Sequence, residues 1–148
     1  MPAVFPIHIV PPGHRGDYPH MAKRDAEVWS RFLAAHSTEF DGFAYDVAVG
    51  GVQLVGEAIS ATERAGWQYN TALKIDVCGF KPGAVWVIEV KPYATVSAIG
   101  GAIAYTLVLR REKVFDGELL PTIVCSYCQL DVRWAAEQLG VQVFELPA

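Results

Sequence analysis

The apolar and polar positions alternate most informatively between Ile75 and Lys91. Two apolar runs of strand length, Ile75-Asp76-Val77-Cys78 and Val85-Trp86-Val87-Ile88-Glu89-Val90-Lys91, flank Gly79 to Gly83. That spacing predicts a hairpin with a loop of several residues. The second run is apolar on both faces, the pattern of a central strand covered on each side. Upstream, residues 20–36 turn helical. Ala22, Ala26, Trp29, Phe32, Leu33 and His36 share one face, and Lys23, Glu27 and Arg31 form an i, i+4 ladder on the other. Residues 43–54 alternate as a strand, with Tyr45, Val47 and Val49 against Asp46 and Ala48, and Gly50-Gly51 as a bulge or turn. Residues 57–69 fit a short helix or a loop.

After the hairpin, Val96, Ile99, Ile103, Leu107 and Arg110 recur at helical spacing over 95–111. Gly100-Gly101 weakens that helix and suggests close approach of its backbone to the sheet. A β-branched run over 119–126 predicts a strand. A helix over 129–139 follows, with Val132, Ala135, Ala136 and Leu139 inward and Gly140 as its stop, and a short strand over 141–146 closes the chain. The expected order is α-β-β-β-α-β-α-β: one α/β domain whose mixed central sheet is flanked by helices, antiparallel in the middle and parallel at the end. Residues 1–19 stand apart. They hold five of the nine prolines plus Gly13 and Gly16, so they read as an extended arm before the domain of residues 20–148. Its apolar side chains would lie on its own domain or on a neighbouring subunit.

Composition narrows the class. A chain of 148 residues with 52% hydrophobic and 19% charged residues is long enough and apolar enough for one packed domain. No apolar run approaches the roughly 20 residues of a membrane span, and no basic-then-apolar leader opens the chain. Three cysteines without framework spacing fit a reducing compartment, so the sequence reads as cytoplasmic. The net charge of −4 opposes strong nonspecific binding to nucleic acid, although a local basic patch or a bound cation can offset it.

The chemistry lies where charge interrupts the apolar pattern. Glu89 and Lys91, two apart on one strand, point the same way, and Asp76 on the partner strand faces the same spot if the register allows. A charge in a buried strand costs several kcal/mol unless it is paired or binds a metal. Asp25 falls within the apolar face of the first helix, so it either joins such a site or serves the helix dipole. Arg64, Trp67 and Tyr69 are of the types that clamp or stack on nucleic acid, and equally of the types found on a surface segment with a half-buried ring. Arg110, Arg111 and Lys113 suit a helix C-terminus. Cys125 and Cys128 form a CxxC that lacks the four ligands of a structural zinc and reads as ordinary thiols at a strand end. The four histidines show no metal-ligand spacing.

Asp76, twelve residues, then Glu89-x-Lys91 resembles the PD-(D/E)XK nuclease superfamily, and the likeness spans about residues 20–146. The resemblance implies a restriction-endonuclease-like core and a nuclease acting on nucleic acid, with DNA the favoured polymer. It implies that Asp76, Glu89 and the Val90 carbonyl hold Mg2+ or Mn2+, that Lys91 assists the attacking water, and that Asp25 adds a further acid. It also matches Tyr105 to a helix tyrosine near the site, although the family's preceding Gln is missing here. A phage, a mobile element or a repair system could encode such a domain, placing it in a host cytoplasm or a virion. Two readings stand beside this one. The charges could form a structural ion pair of Lys91 with Glu89 or Asp76. Alternatively, the chain could be a non-catalytic assembly or binding protein on the same scaffold, an idea drawn from its acidity, the missing Gln and the arm.

Overall fold

The computed structural model describes residues 7–148. Its elements run α1 (Lys23–His36), β1 (Gly42–Val49), α2 (Ala61–Thr71), β2 (Leu73–Lys81), β3 (Ala84–Ala94), α3 (Val96–Glu112), β4 (Glu118–Cys128), α4 (Leu130–Gln138) and β5 (Gln142–Glu145). The strands form one sheet in the order β1-β2-β3-β4-β5. The first three make an antiparallel meander, and β3, β4 and β5 run parallel through the crossovers α3 and α4. Helices cover both faces. Val28, Trp29, Phe32 and Leu33 of α1 pack on Phe43, Val77, Trp86, Ile88, Val90 and Val124. On the other face α3 covers Ala44, Val47, Ile75, Cys78 and Val87, and α3 and α4 together cover Ile123 and Cys125.

Several details depart from the sequence pattern, each for a local reason. Residues 61–71 form the helix α2, which Ser60 and Glu63 begin as a capping box: the Ser60 hydroxyl accepts from the Glu63 amide and the Glu63 carboxylate from the Ser60 amide. The hairpin loop is shorter than expected, because Lys81 pairs with Ala84 and only Pro82-Gly83 turn the chain. Gly79 belongs to β2, where a Cβ would stand 2.8 Å from the Phe40 ring, so only glycine lets that ring lie flat against the strand. Strand β1 stops at Val49 rather than continuing to residue 54, since Gly50 and Gly51 both take left-handed backbone. Arg31 leaves the expected surface ladder. Its Nε donates to the Leu146 carbonyl at 2.9 Å and its Nη2 to Ser126 Oγ at 2.5 Å, tying α1 to the end of the chain. Leu139, expected inward, is exposed.

The arm folds back on its own domain over the described part. Val10 and Phe43 exchange backbone hydrogen bonds of 2.8 and 3.0 Å, and Val10, Tyr18 and Met21 pack against the α1-side core. Residues 1–6 of the arm lie outside the described residues. No helix among the described residues is long and apolar enough to cross a membrane.

One irregularity positions everything that follows. In β1, Ala44 packs on the α3 side and Tyr45 on the α1 side, yet Val47 and Val49 pack on the α3 side. A regular strand would place Tyr45 and Val47 on one face. The switch occurs at Asp46, whose φ is +50° in the middle of the strand. Its partner strand switches at the same level, where Ile75 and Cys78 face α3 while Val77 faces α1. Register pairs Tyr45 with Val77 and Val47 with Ile75, and the skipped position sets Asp46 opposite Asp76.

Candidate active site

The β2–β3 ladder ends at Val77↔Ile88, one residue short of Asp76. Beyond that point the Asp76 carboxylate takes the place of the strand, and its Oδ2 accepts the Val90 backbone N–H at 2.9 Å. Because N–H and C=O of one strand residue face the same edge, the Val90 carbonyl points toward this gap as well. Glu89 projects to the α3 side, only 5% exposed, and its Oε1 is buried without a hydrogen-bond partner. Lys91 lies one strand repeat further on the same face. Together with Thr95, Ser97, Gly101 and Tyr105, Glu89 and Lys91 line an open cleft of about 520 Å³ between β3 and α3.

The electrostatics show how closely these groups are gathered. Burial pushes the Asp76 carboxyl above its usual 3.8, opposed by the Val90 hydrogen bond and by Lys91, with Asp25 and Asp46 adding to the rise. Burial raises Glu89 from its usual 4.5 to about 8; the Asp76 charge adds to this, Lys91 and the Asp76 amide oppose it, and Asp25 raises it further. Tyr105 is raised by burial, then by Glu89 and Asp76. Asp25 and Lys91 thus both act on Asp76 and Glu89, and Asp76, Glu89 and Lys91 act on Tyr105. The structural ion pair is not formed: among the described residues no salt bridge joins Lys91 to either carboxylate.

Two glycines of α3 line the cleft. Gly100 faces open space and approaches nothing, contrary to the close packing its position suggests. Gly101 faces the carboxylate, and a Cβ there would meet Glu89 Oε2 at 3.7 Å.

The residue that sequence reasoning did not single out is Asp46. Its carboxylate accepts the Tyr69 hydroxyl at 3.0 Å and lies 3.2 Å from His20 Nε2. Left-handed backbone at a non-glycine residue in mid-strand is costly and recurs at functional sites. The strand pattern alone gave no sign of it. Arg64 and Trp67 do not border the cleft. Arg64 turns back to donate to the Gly56 carbonyl, and Trp67 is exposed on α2.

The thiols carry no such signature. Cys78, Cys125 and Cys128 are free and buried, and burial drives Cys78 and Cys125 up to about 12, far from a reactive thiolate.

The donor chemistry of the acidic set is of a kind that suits a divalent ion. Two carboxylates and a backbone carbonyl are hard oxygen donors of the type Mg2+ and Mn2+ prefer, and the orphaned Glu89 oxygen lacks a positive partner. Among the described residues no three His, Cys, Asp or Glu side chains already stand spaced to hold an ion, so the Val90 carbonyl and solvent would complete its shell. No family model, curated protein or solved structure matches this chain.

Proposed function

We propose that this protein is a divalent-metal-dependent nuclease on a restriction-endonuclease-like core, hydrolysing phosphodiester bonds in nucleic acid, with DNA the favoured polymer. The observation that carries the reading is the buried, unpartnered Glu89 Oε1 beside Asp76 in a cleft where Lys91 stands unpaired. A structural role would have satisfied these groups against one another, since a buried polar atom left without a partner costs about 1–3 kcal/mol. A site that awaits a cation and an anionic substrate would not.

In this reading Asp76, Glu89 and the Val90 carbonyl hold Mg2+ or Mn2+. The ion would offset phosphate charge and make a bound water more acidic. Asp76 is kept in place by the Val90 amide, so its carboxylate is oriented before any ligand arrives. Lys91 places an ammonium one strand repeat from Glu89, where it can orient the attacking water and stabilise negative charge developing on the phosphate. Asp25 adds negative potential from α1 and strengthens the attraction for the ion. Tyr105 offers a hydroxyl on the cleft wall.

The test is cleavage of labelled single- and double-stranded DNA in Mn2+ by the wild type, Asp76→Ala and Lys91→Ala. Cleavage by the wild type and its loss in both variants, which stay folded, is expected. Equal activity in all three would sink the reading.

A second reading, a non-catalytic assembly or binding role, draws support from α4. Leu130 and Trp134, one turn apart, are 81% and 64% exposed. Apolar side chains so placed suit a partner surface. A defined oligomer in light scattering that dissociates on Trp134→Glu would favour that role, and a monomer in the wild type would exclude self-assembly there.

A further inference from the structure

A second opening lies at the ends of β3 and β4 on the side covered by α1. It is a groove of about 210 Å³ whose walls include Arg24, Glu27 and Arg31 of α1 and Tyr93, Ser126 and Tyr127 of the strand ends. Tyr93 and Tyr127 are neighbours in the parallel ladder. Their rings lie 6.0 Å apart and nearly perpendicular, and they are 63% and 55% exposed. Further back, the same two strands are fully covered at Val87, Ile88, Ile123 and Val124. The core has no use for two large rings at their tips.

In a chain that is net acidic, the groove wall carries two guanidinium groups, beside Glu27 and Ala148. Arg31 is fixed in the groove wall by Leu146 and Ser126, whereas Arg24 has no hydrogen bond or ion pair among the described residues. Arg24 stands in the first turn of α1, which has no side-chain cap, so free backbone N–H groups add to the positive potential there. Tyr93 follows Lys91 by two residues, about 7 Å along β3, and turns to the α1 side, where it borders the groove. The groove and the catalytic cleft thus lie at the same end of β3, on opposite faces of the sheet.

We infer that this groove binds an unpaired nucleic-acid strand, with bases stacked on Tyr93 and Tyr127 and phosphates on Arg24 and Arg31, and leads it over the sheet end to Asp76, Glu89 and Lys91. The inference rests on the nuclease reading and adds a substrate class to it. Exposed aromatic rings beside a cationic track bind single strands because every unstacked base offers a π-face, which a duplex keeps hidden.

The experiment is fluorescence anisotropy of a labelled oligothymidylate and of a labelled hairpin duplex, both with the full-length Glu89→Gln protein, which leaves the strands uncut. The oligothymidylate binds more tightly than the duplex. Adding Tyr93→Ala and Tyr127→Ala together weakens the single strand by about tenfold or more, while the paired Phe substitutions retain affinity. Arg24→Gln lowers the dependence of binding on salt by about one phosphate contact. Unchanged oligothymidylate affinity in the double alanine variant, or a duplex bound as tightly through the same residues, overturns the groove. If the wild type then still cleaves DNA, the nuclease reading survives without it. If tyrosine-dependent single-strand binding occurs in a protein that never cleaves, the groove stands and the catalytic reading falls.

Discussion

Strand β3 has two neighbours, and it meets them in opposite ways. With β4 it pairs from Ala84↔Glu118 to Ala94↔Cys128, broken only at Pro92, and the shared faces carry Ile88, Val90, Ile123 and Val124. With β2 it pairs only as far as Val77↔Ile88, and beyond that a carboxylate replaces the strand. The first junction is a long and mainly apolar ladder. The second forgoes ladder bonds worth about 0.5–1.5 kcal/mol each and buries two acids, Asp76 adding to the raised pKa of Glu89. Stability and the proposed chemistry are thus divided between the two edges of one strand. A second carboxylate sharpens the point. Glu112 Oε2 is also buried without a partner, but its Oε1 accepts the Gly50 amide and it does not line the cleft of Glu89 and Lys91. An orphaned oxygen alone does not make a site; its company does.

The largest effect should come from the β2 edge. Glu89→Gln keeps the shape and removes the charge, so cleavage in Mn2+ should fall by about 10³-fold. The melting temperature of the metal-free protein should hold or rise. A variant that loses stability together with activity would show that Glu89 is structural.

The β4 edge should respond in reverse. Ile123 is fully buried, and Ile123→Ala should cost about 2–5 kcal/mol in urea unfolding while cleavage per folded molecule is unchanged. Loss of specific activity ahead of stability would erase the contrast between the edges.

Titration separates them next. Glu89 is held at about 8 against its usual 4.5. Between these values the unfolded chain gives up this proton and the folded chain keeps it. The metal-free protein should therefore lose stability as pH rises through that window, by a few kcal/mol in order of magnitude, and level off above it. Urea midpoints across the range check this, and Glu89→Gln should flatten the profile. A stability that climbs with pH over the same interval would contradict the geometry.

The smallest effects belong to the two glycines of α3. Gly100→Ala meets open space and should stabilise by about 1 kcal/mol without touching activity. Gly101→Ala gains similar helix stability and brings a methyl group into van der Waals contact with Glu89, so any change in metal affinity should be small and confined to this variant. Equal metal binding in both variants would mean that the cleft does not reach Gly101.

Much of this was legible in the sequence, for identifiable reasons. Asp76, Glu89 and Lys91 stand out because charge inside an apolar strand run has few explanations, and Asp25 because a helical wheel puts it among apolar residues. The change from meander to crossovers follows from the spacing of elements. What could not be read depends on long-range placement. Asp46 looks like an ordinary polar alternate, and its role comes from a left-handed backbone and a register that sets it opposite Asp76. Helix α2 buries only Gln68, so it has no apolar period to betray it, although Ser60-x-x-Glu63 was a readable cap. Tyr93 and Tyr127 come together only because β3 and β4 are parallel partners.

The most direct test is calorimetric titration of Mn2+ into the wild type and into Asp76→Ala, above the pH of about 8 at which Glu89 releases its proton. Saturable binding by the wild type and none by the variant is the predicted result. No binding by the wild type, or equal binding by both, would contradict a metal site built on Asp76 and Glu89.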